Sequence, residues 1–230
     1  MSLSRHWIAL LLCGLLCNTA QAGRSSVADV SDVAETGDCE AEMSFERIRP
    51  RGEAPQRETS LRLACGIGWD TEVEASIARQ RGGDARSQAL ALEAKTALTE
   101  RGEGRIGWAI ALAVGAEKSN GGWRHSEHSL TLEATYPLGS TWLVEAKLGT
   151  ARERADRRDS LRWAGAVEHA LSERIELRAE VEGDDRGRPL AGLALKYALW
   201  QEDLKLKLGH GSRSGPQAER RTSLSLQFEF

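Results

Sequence analysis

The chain has 230 residues, of which 40 % are apolar and 28 % charged, and a formal net charge of -3. That length fits one large domain or a closed sheet, and the charge balance offers no bulk attraction to nucleic acid. No apolar run reaches the ~18 residues that a spanning helix requires, which excludes a helical membrane protein.

Arg5 and His6 precede the apolar stretch Trp7 to Cys17, and Ala20-Gln21-Ala22 sets small residues at the two positions that signal peptidase reads before Gly23. Residues 1–22 therefore read as a cleaved secretory signal peptide. A lipid anchor would need a cysteine where Gly23 stands. Cys13 and Cys17 leave with the leader, so an even pair, Cys39 and Cys65, is carried into an oxidising compartment. Residues 23–38 are polar and without period, and read as a flexible periplasmic N-terminal segment.

From Cys39 to Phe230 apolar and polar residues alternate in blocks of about ten, the period of a strand with one wet and one dry face. Twelve blocks follow in chain order, at about 39–47, 58–69, 72–80, 87–98, 105–117, 128–137, 141–151, 160–170, 174–183, 189–199, 204–211 and 221–230. In the first, Cys39, Ala41, Met43 and Phe45 oppose Glu40, Glu42, Ser44 and Glu46; in the last, Leu224, Leu226, Phe228 and Phe230 oppose Ser223, Ser225, Gln227 and Glu229. Links after even-numbered strands read as short turns, and those after odd-numbered strands as mostly longer, arginine-rich loops. An even strand count with this alternation of links is the pattern of an up-and-down antiparallel barrel.

Periodicity alone fits equally a soluble barrel with its apolar face inward. The C-terminus LSLQFEF, an aromatic end with apolar residues at every second place before it, resembles the assembly signal of Gram-negative outer-membrane β-barrels. The resemblance covers Cys39 to Phe230. It implies an all-β transmembrane barrel of about 12 strands, porin-like, with lipid outside and a polar interior, handled by the barrel assembly machinery through Phe230. Trp69, Trp108, Tyr136, Trp142, Tyr197, Trp200, Phe228 and Phe230 fall near the short turns, as an interfacial aromatic belt would. Phe45, Trp123 and Trp163 map toward the other rim.

Of 25 arginines, 17 lie in or beside the expected longer loops, where Lys118 is the only lysine. The planar guanidinium fork suits dense phosphate, so Arg152, Arg154, Arg157, Arg158, Arg186 and Arg188 are expected to face lipopolysaccharide. A solvated rim that only keeps the loops soluble is the plainer alternative.

The inward parity carries Glu40, Glu42, Glu46, Glu72, Glu74, Glu93, Glu117, Glu133, Glu145, Glu168, Glu176, Glu180, Glu182 and Glu229 against Arg62, Lys95, Lys147, Arg162, Arg178, Lys196, Lys205 and Lys207. Fourteen acids thus face eight bases, and charges enclosed by a barrel must pair or meet water. Small inward residues such as Ala64, Gly66, Ala111, Gly149, Ala166 and Ala194 leave room for water. A narrow, mildly cation-preferring channel for small solutes is expected, with a filled, non-conducting barrel that binds lipopolysaccharide as the alternative.

A lipid hydrolase is the remote third reading. Outer-membrane phospholipases of twelve strands carry a His and a Ser on a lipid-facing strand, and His125, Ser126, His128 and Ser129 lie close together here. Ser126 precedes His128, however, and no asparagine stands at a partner position. The histidine pair lacks a third metal ligand, and no phosphate loop, zinc signature or dinucleotide fingerprint occurs. No cofactor, metal or catalytic residue is therefore expected.

Register predicts a disulfide, the alternative being a shift by two in the long loop Glu46 to Arg57 that leaves two free thiols facing lipid. A hairpin centred on Gly52 opposes residues whose numbers sum to 104: Met43 with Leu61, Ala41 with Leu63, and Cys39 with Cys65. Directly opposed antiparallel residues have Cα atoms ~4.5–5.5 Å apart, within reach of the bond.

Overall fold

The structure is a computed structural model and describes residues 33–230 apart from 83–84, 100–101, 103, 120–121, 155–157, 201–202 and 216–217. The expected signal peptide and residues 23–32 lie outside the described residues. Twelve strands follow in chain order: β1 Cys39–Pro50, β2 Gln56–Gly68, β3 Thr71–Gly82, β4 Ala85–Thr99, β5 Gly107–Ser119, β6 Gly122–Leu138, β7 Trp142–Glu153, β8 Arg158–Ser172, β9 Ile175–Asp184, β10 Leu190–Trp200, β11 Leu204–Arg213 and β12 Glu219–Glu229. Each pairs antiparallel with its neighbours in sequence, and β1 pairs with β12, closing the barrel. The seam runs from Glu40 opposite Glu229 to Pro50 opposite Glu219. At its end Cys39 and Phe230 exchange backbone hydrogen bonds of 2.9 Å. Closure leaves every strand two partners and no free edge.

The alternating sequence sorts onto two faces. Leu112, Val114, Leu130, Leu148, Leu193 and Leu208 stand exposed on the outside, whereas Ser44, Glu46, Glu133, Glu145 and Arg178 are buried inside. A soluble barrel would do the reverse, so the apolar exterior is the surface of a protein whose solvent on that side is lipid. The hairpin register is the predicted one: Met43 opposes Leu61, Ala41 opposes Leu63, and Cys39 opposes Cys65. Cys39 and Cys65 are disulfide-bonded, with Cα atoms 4.2 Å apart.

The connections differ from expectation. Two links read as longer loops are short, since β4 begins at Ala85 after β3 ends at Gly82 and β6 begins at Gly122 after β5 ends at Ser119, while the widest gap between strands, from Thr99 to Gly107, lies at the end expected to hold only short turns. The strands themselves absorb the difference. β4 reaches back to Ala85 and β6 to Gly122, because pairing with β3 and β5 continues past the last apolar residue. Many arginines therefore stand on the barrel wall: Arg47 and Arg49 in β1, Arg57 in β2, Arg79 and Arg81 in β3, and Arg86 in β4. At the opposite rim Trp69 and Asp70 form the β2–β3 turn, both with positive φ (54° and 51°), as a two-residue I′-type hairpin demands.

Candidate functional site

Inside the barrel the predicted lumen charges all stand on the inward parity of their strands. Arg178, Arg62 and Arg162 each gather two or three carboxylates. Arg178 of β9 reaches Glu145 on β7 at 2.6 Å, Glu180 on its own strand at 3.2 Å, and Glu168 on β8. Arg62 of β2 contacts Glu40 and, at 3.4 Å, Glu42 on β1, with Glu74 on β3 at 3.2 Å. Arg162 of β8 holds Glu127 on β6 at 2.6 Å and Glu153 on β7 at 3.0 Å. Lysines make simpler pairs: Lys95 with Glu72 at 3.3 Å, Lys147 with Glu133 at 3.0 Å, Lys196 with Glu176 at 3.0 Å, and Lys205 with Glu229 at 2.5 Å.

Sequence reasoning missed part of this set. Glu127, Glu153, Arg213 and Glu219, in stretches read as loops, and Glu58 and Arg221, at the first positions of their expected strands, also take the inward parity. Continuing the alternation past the last apolar residue would have found them. With Asp184 and Arg124, which stand on the same parity and offset each other, the acidic excess of the inner wall among the described residues widens from six to eight. Arg221 shows what closure adds: from β12 it lies 2.9 Å from Glu219, 3.8 Å from Glu46 on β1 and 3.7 Å from Glu182 on β9. β9 is three places round the twelve-strand ring from β12, so this side chain links strands that share no hydrogen bonds.

Water reaches the interior unevenly. Ala64, Ala111, Ala166 and Ala194, expected to leave room for water, are at most 6 % exposed. Ala109, Gly115, Gly149 and Gly192 are partly exposed, as are Glu40, Glu74, Glu93 and Lys207. Whatever passes through such a lumen travels between charged groups at contact range.

The outer face carries the other predicted sets. Trp108, Tyr136, Trp142, Tyr197, Phe228 and Phe230 project outward near one rim, and Trp69 stands 91 % exposed in its turn. The side chain of Trp200 lies outside the described residues. Trp142 stacks on His169 with ring centroids 3.9 Å apart, and Phe228 on Phe230 at 5.6 Å. We call this end the aromatic rim and the other the arginine rim. Arg152 is exposed and lies 3.8 Å from Asp159, while Arg154, Arg186 and Arg188 are exposed. Arg186 Nη2 donates to Asp159 O at 2.6 Å. Arg157 and the side chain of Arg158 lie outside the described residues.

The four residues weighed for hydrolysis are sorted by the sheet. A bulge where β6 passes Gly115 and Ala116 puts His125 and His128 on the same outer face, stacked with centroids 5.7 Å apart. Ser129 is buried on the inner parity, and Ser126 Oγ lies against the lumenal side of Gly115. The wall thus stands between both serines and both imidazoles. Among the described residues no group of three or more His, Cys, Asp or Glu is placed to hold a metal ion.

A closed antiparallel barrel of twelve strands, apolar outside and charged within, has the fold of the outer-membrane channels and porins. The chain belongs to the family described as uncharacterised conserved protein UCP029691, whose pattern matches residues 11–212. No curated protein matches its sequence. Among solved structures it is similar to the COG4313 outer membrane channel from Pseudomonas putida F1, with a TM-score of 0.67 and 11 % identity over 90 % of this chain and 100 % of that one. The KdgM porin in complex with disordered oligogalacturonate gives 0.61 and 12 % over 82 % and 99 %. The NanC porin gives 0.60 and 11 % over 81 % and 98 %. At these identities the likeness is one of fold.

Proposed function

We propose that the protein is exported with residues 1–22 removed, sits in the Gram-negative outer membrane, and passes small solutes through a narrow water-filled lumen with a mild preference for cations. The observation that carries this reading is the acidic excess on an inner wall whose charged side chains are in part open to water. A filled barrel kept only for stability gains nothing from unbalanced charge, whereas a ring of carboxylates lowers the energy of a cation in a narrow pore and raises that of an anion. The KdgM porin structure holds oligogalacturonate, an acidic chain; the inner wall here favours cargo of the opposite sign. Purified protein in planar bilayers under a salt gradient should show a reversal potential of cation sign. Anion preference would overturn the facing of the charges as the cause, and a silent barrel would overturn the channel.

The arginine rim supports a second activity at the outer wall. Arg47, Arg49, Arg57, Arg81, Arg86 and Arg152 are exposed or partly exposed on outward parities just beyond the apolar band, where lipid phosphates lie. Replacing Arg152, Arg154, Arg157 and Arg158 by Gln should weaken binding to lipid A bilayers, and unchanged binding would reduce the cluster to a solvated rim. In the same reading Phe230, at the closing seam, presents the C-terminal strand to the barrel assembly machinery.

A further inference from the structure

The segment read from the sequence as flexible makes specific contacts in its described part. Asp38 N donates to Glu35 O at 3.0 Å, closing a turn in which Gly37 has φ +96°. The turn carries the backbone from the start of β1 over the inner face of β2. There Gly37 N donates to Gly66 O at 3.0 Å, and Thr36 bridges Gly66 in the parallel sense. Ala34 N donates to Glu72 Oε2 at 3.0 Å, while the other oxygen of that carboxylate faces Lys95 Nζ at 3.3 Å. Gly66 and Glu72 oppose each other on β2 and β3, at the last inward positions before the aromatic-rim turn.

Gly66 is what admits the backbone so close. A Cβ at this position would overlap the carbonyl oxygens of Glu35 and Ala34, so any other residue would displace them. Glu72 supplies a fixed acceptor for a backbone N–H that the sheet does not serve. The Cys39–Cys65 disulfide braces the same place, since Cys39 follows the turn directly and Cys65 precedes Gly66.

We propose that the inner wall of β2 and β3 at the aromatic rim is a docking site for the chain's own residues 34–37, which narrow that mouth of the lumen from within. The partner is an extended peptide backbone, recognised through the absent side chain at Gly66 and the carboxylate of Glu72. Docking stands apart from whether the lumen conducts; its effect on current rests on the channel reading above.

Glutamyl endopeptidase reads the docked state, because the backbone around the Glu35–Thr36 bond is held in a turn and hydrogen-bonded to Gly66 while docked and must be freed to enter a protease cleft. Three forms are compared in full-length barrels refolded in detergent: native, Gly66→Val, which fills the gap, and Glu72→Ala, which removes the acceptor without adding bulk. Unboiled gel mobility confirms that each barrel is folded. A fragment beginning at Thr36 should appear on the order of tenfold faster from either variant than from native protein. Equal rates from all three folded forms would overturn the docking. Deleting residues 33–37 should then raise single-channel conductance. Unchanged conductance in a conducting barrel would overturn the narrowing, and a barrel that never conducts would leave the protease result standing and refute only the channel.

Discussion

Arg178 is buried and Arg62 only half-buried, and although each gathers three carboxylates they sit in different surroundings. The Arg178 side chain is 4 % exposed and Glu145 beside it is fully enclosed, whereas Arg62 is 18 % exposed and its partners 20 %. The wall β7–β9 has no covalent brace, so its strands are tied by an ion cluster cut off from water. The hairpin β1–β2 carries the disulfide, and its charges stay wet. A charge cluster sealed from water must be complete, because removing one member leaves the others uncompensated. A wet cluster tolerates loss, because water replaces the missing partner.

Breaking the sealed cluster should have the largest effect. Arg178→Ala strands Glu145, Glu168 and Glu180 inside the wall and should cost about 3–5 kcal/mol, read as a lower temperature for the heat-induced shift in gel mobility. An unaffected transition would mean that water reaches this wall after all. Next comes the covalent brace. The paired change Cys39→Ser and Cys65→Ser should lower stability by about 2–4 kcal/mol in urea unfolding, since the bond links residues 26 apart in sequence. Smallest is the wet cluster: Arg62→Gln should cost about 1 kcal/mol or less. It should also move the reversal potential further toward cations by removing a lumenal base. Combining Arg62→Gln with the disulfide-free background sharpens the contrast, because the hairpin then leans on its ion pairs alone and the penalty should exceed the sum of the two separate changes.

Much of the barrel was legible because strand alternation is a local property. A side chain two residues on points the same way wherever the strand goes, so counting blocks yielded twelve strands, their inward charges and their outward aromatics. Register in the first hairpin was equally local. A link centred on Gly52 was enough to oppose Cys39 and Cys65. The same argument failed at strand ends. Glu127, Glu153 and Arg213 stand in arginine-rich stretches whose polarity reads as loop, but pairing with the neighbouring strand keeps them in the sheet. Composition marks where the membrane ends, and the hydrogen-bond ladder continues beyond it.

The sequence by itself determined the strand period, the strand count, the two faces and the disulfide. Tertiary structure alone decided which charges meet. Arg221 finds Glu182 because the curvature of the sheet draws β12 and β9, a quarter of the ring apart, within reach of each other, a proximity that no spacing in the chain encodes. It also decided that a bulge in β6 turns His125 to the same outer face as His128, cutting both from Ser129. The placement of Ala34 and Glu35 against Gly66 belongs to the same class. A polar segment without period has no face of its own, and the inner wall it lies on exists only once β2 and β3 have been bent into a barrel.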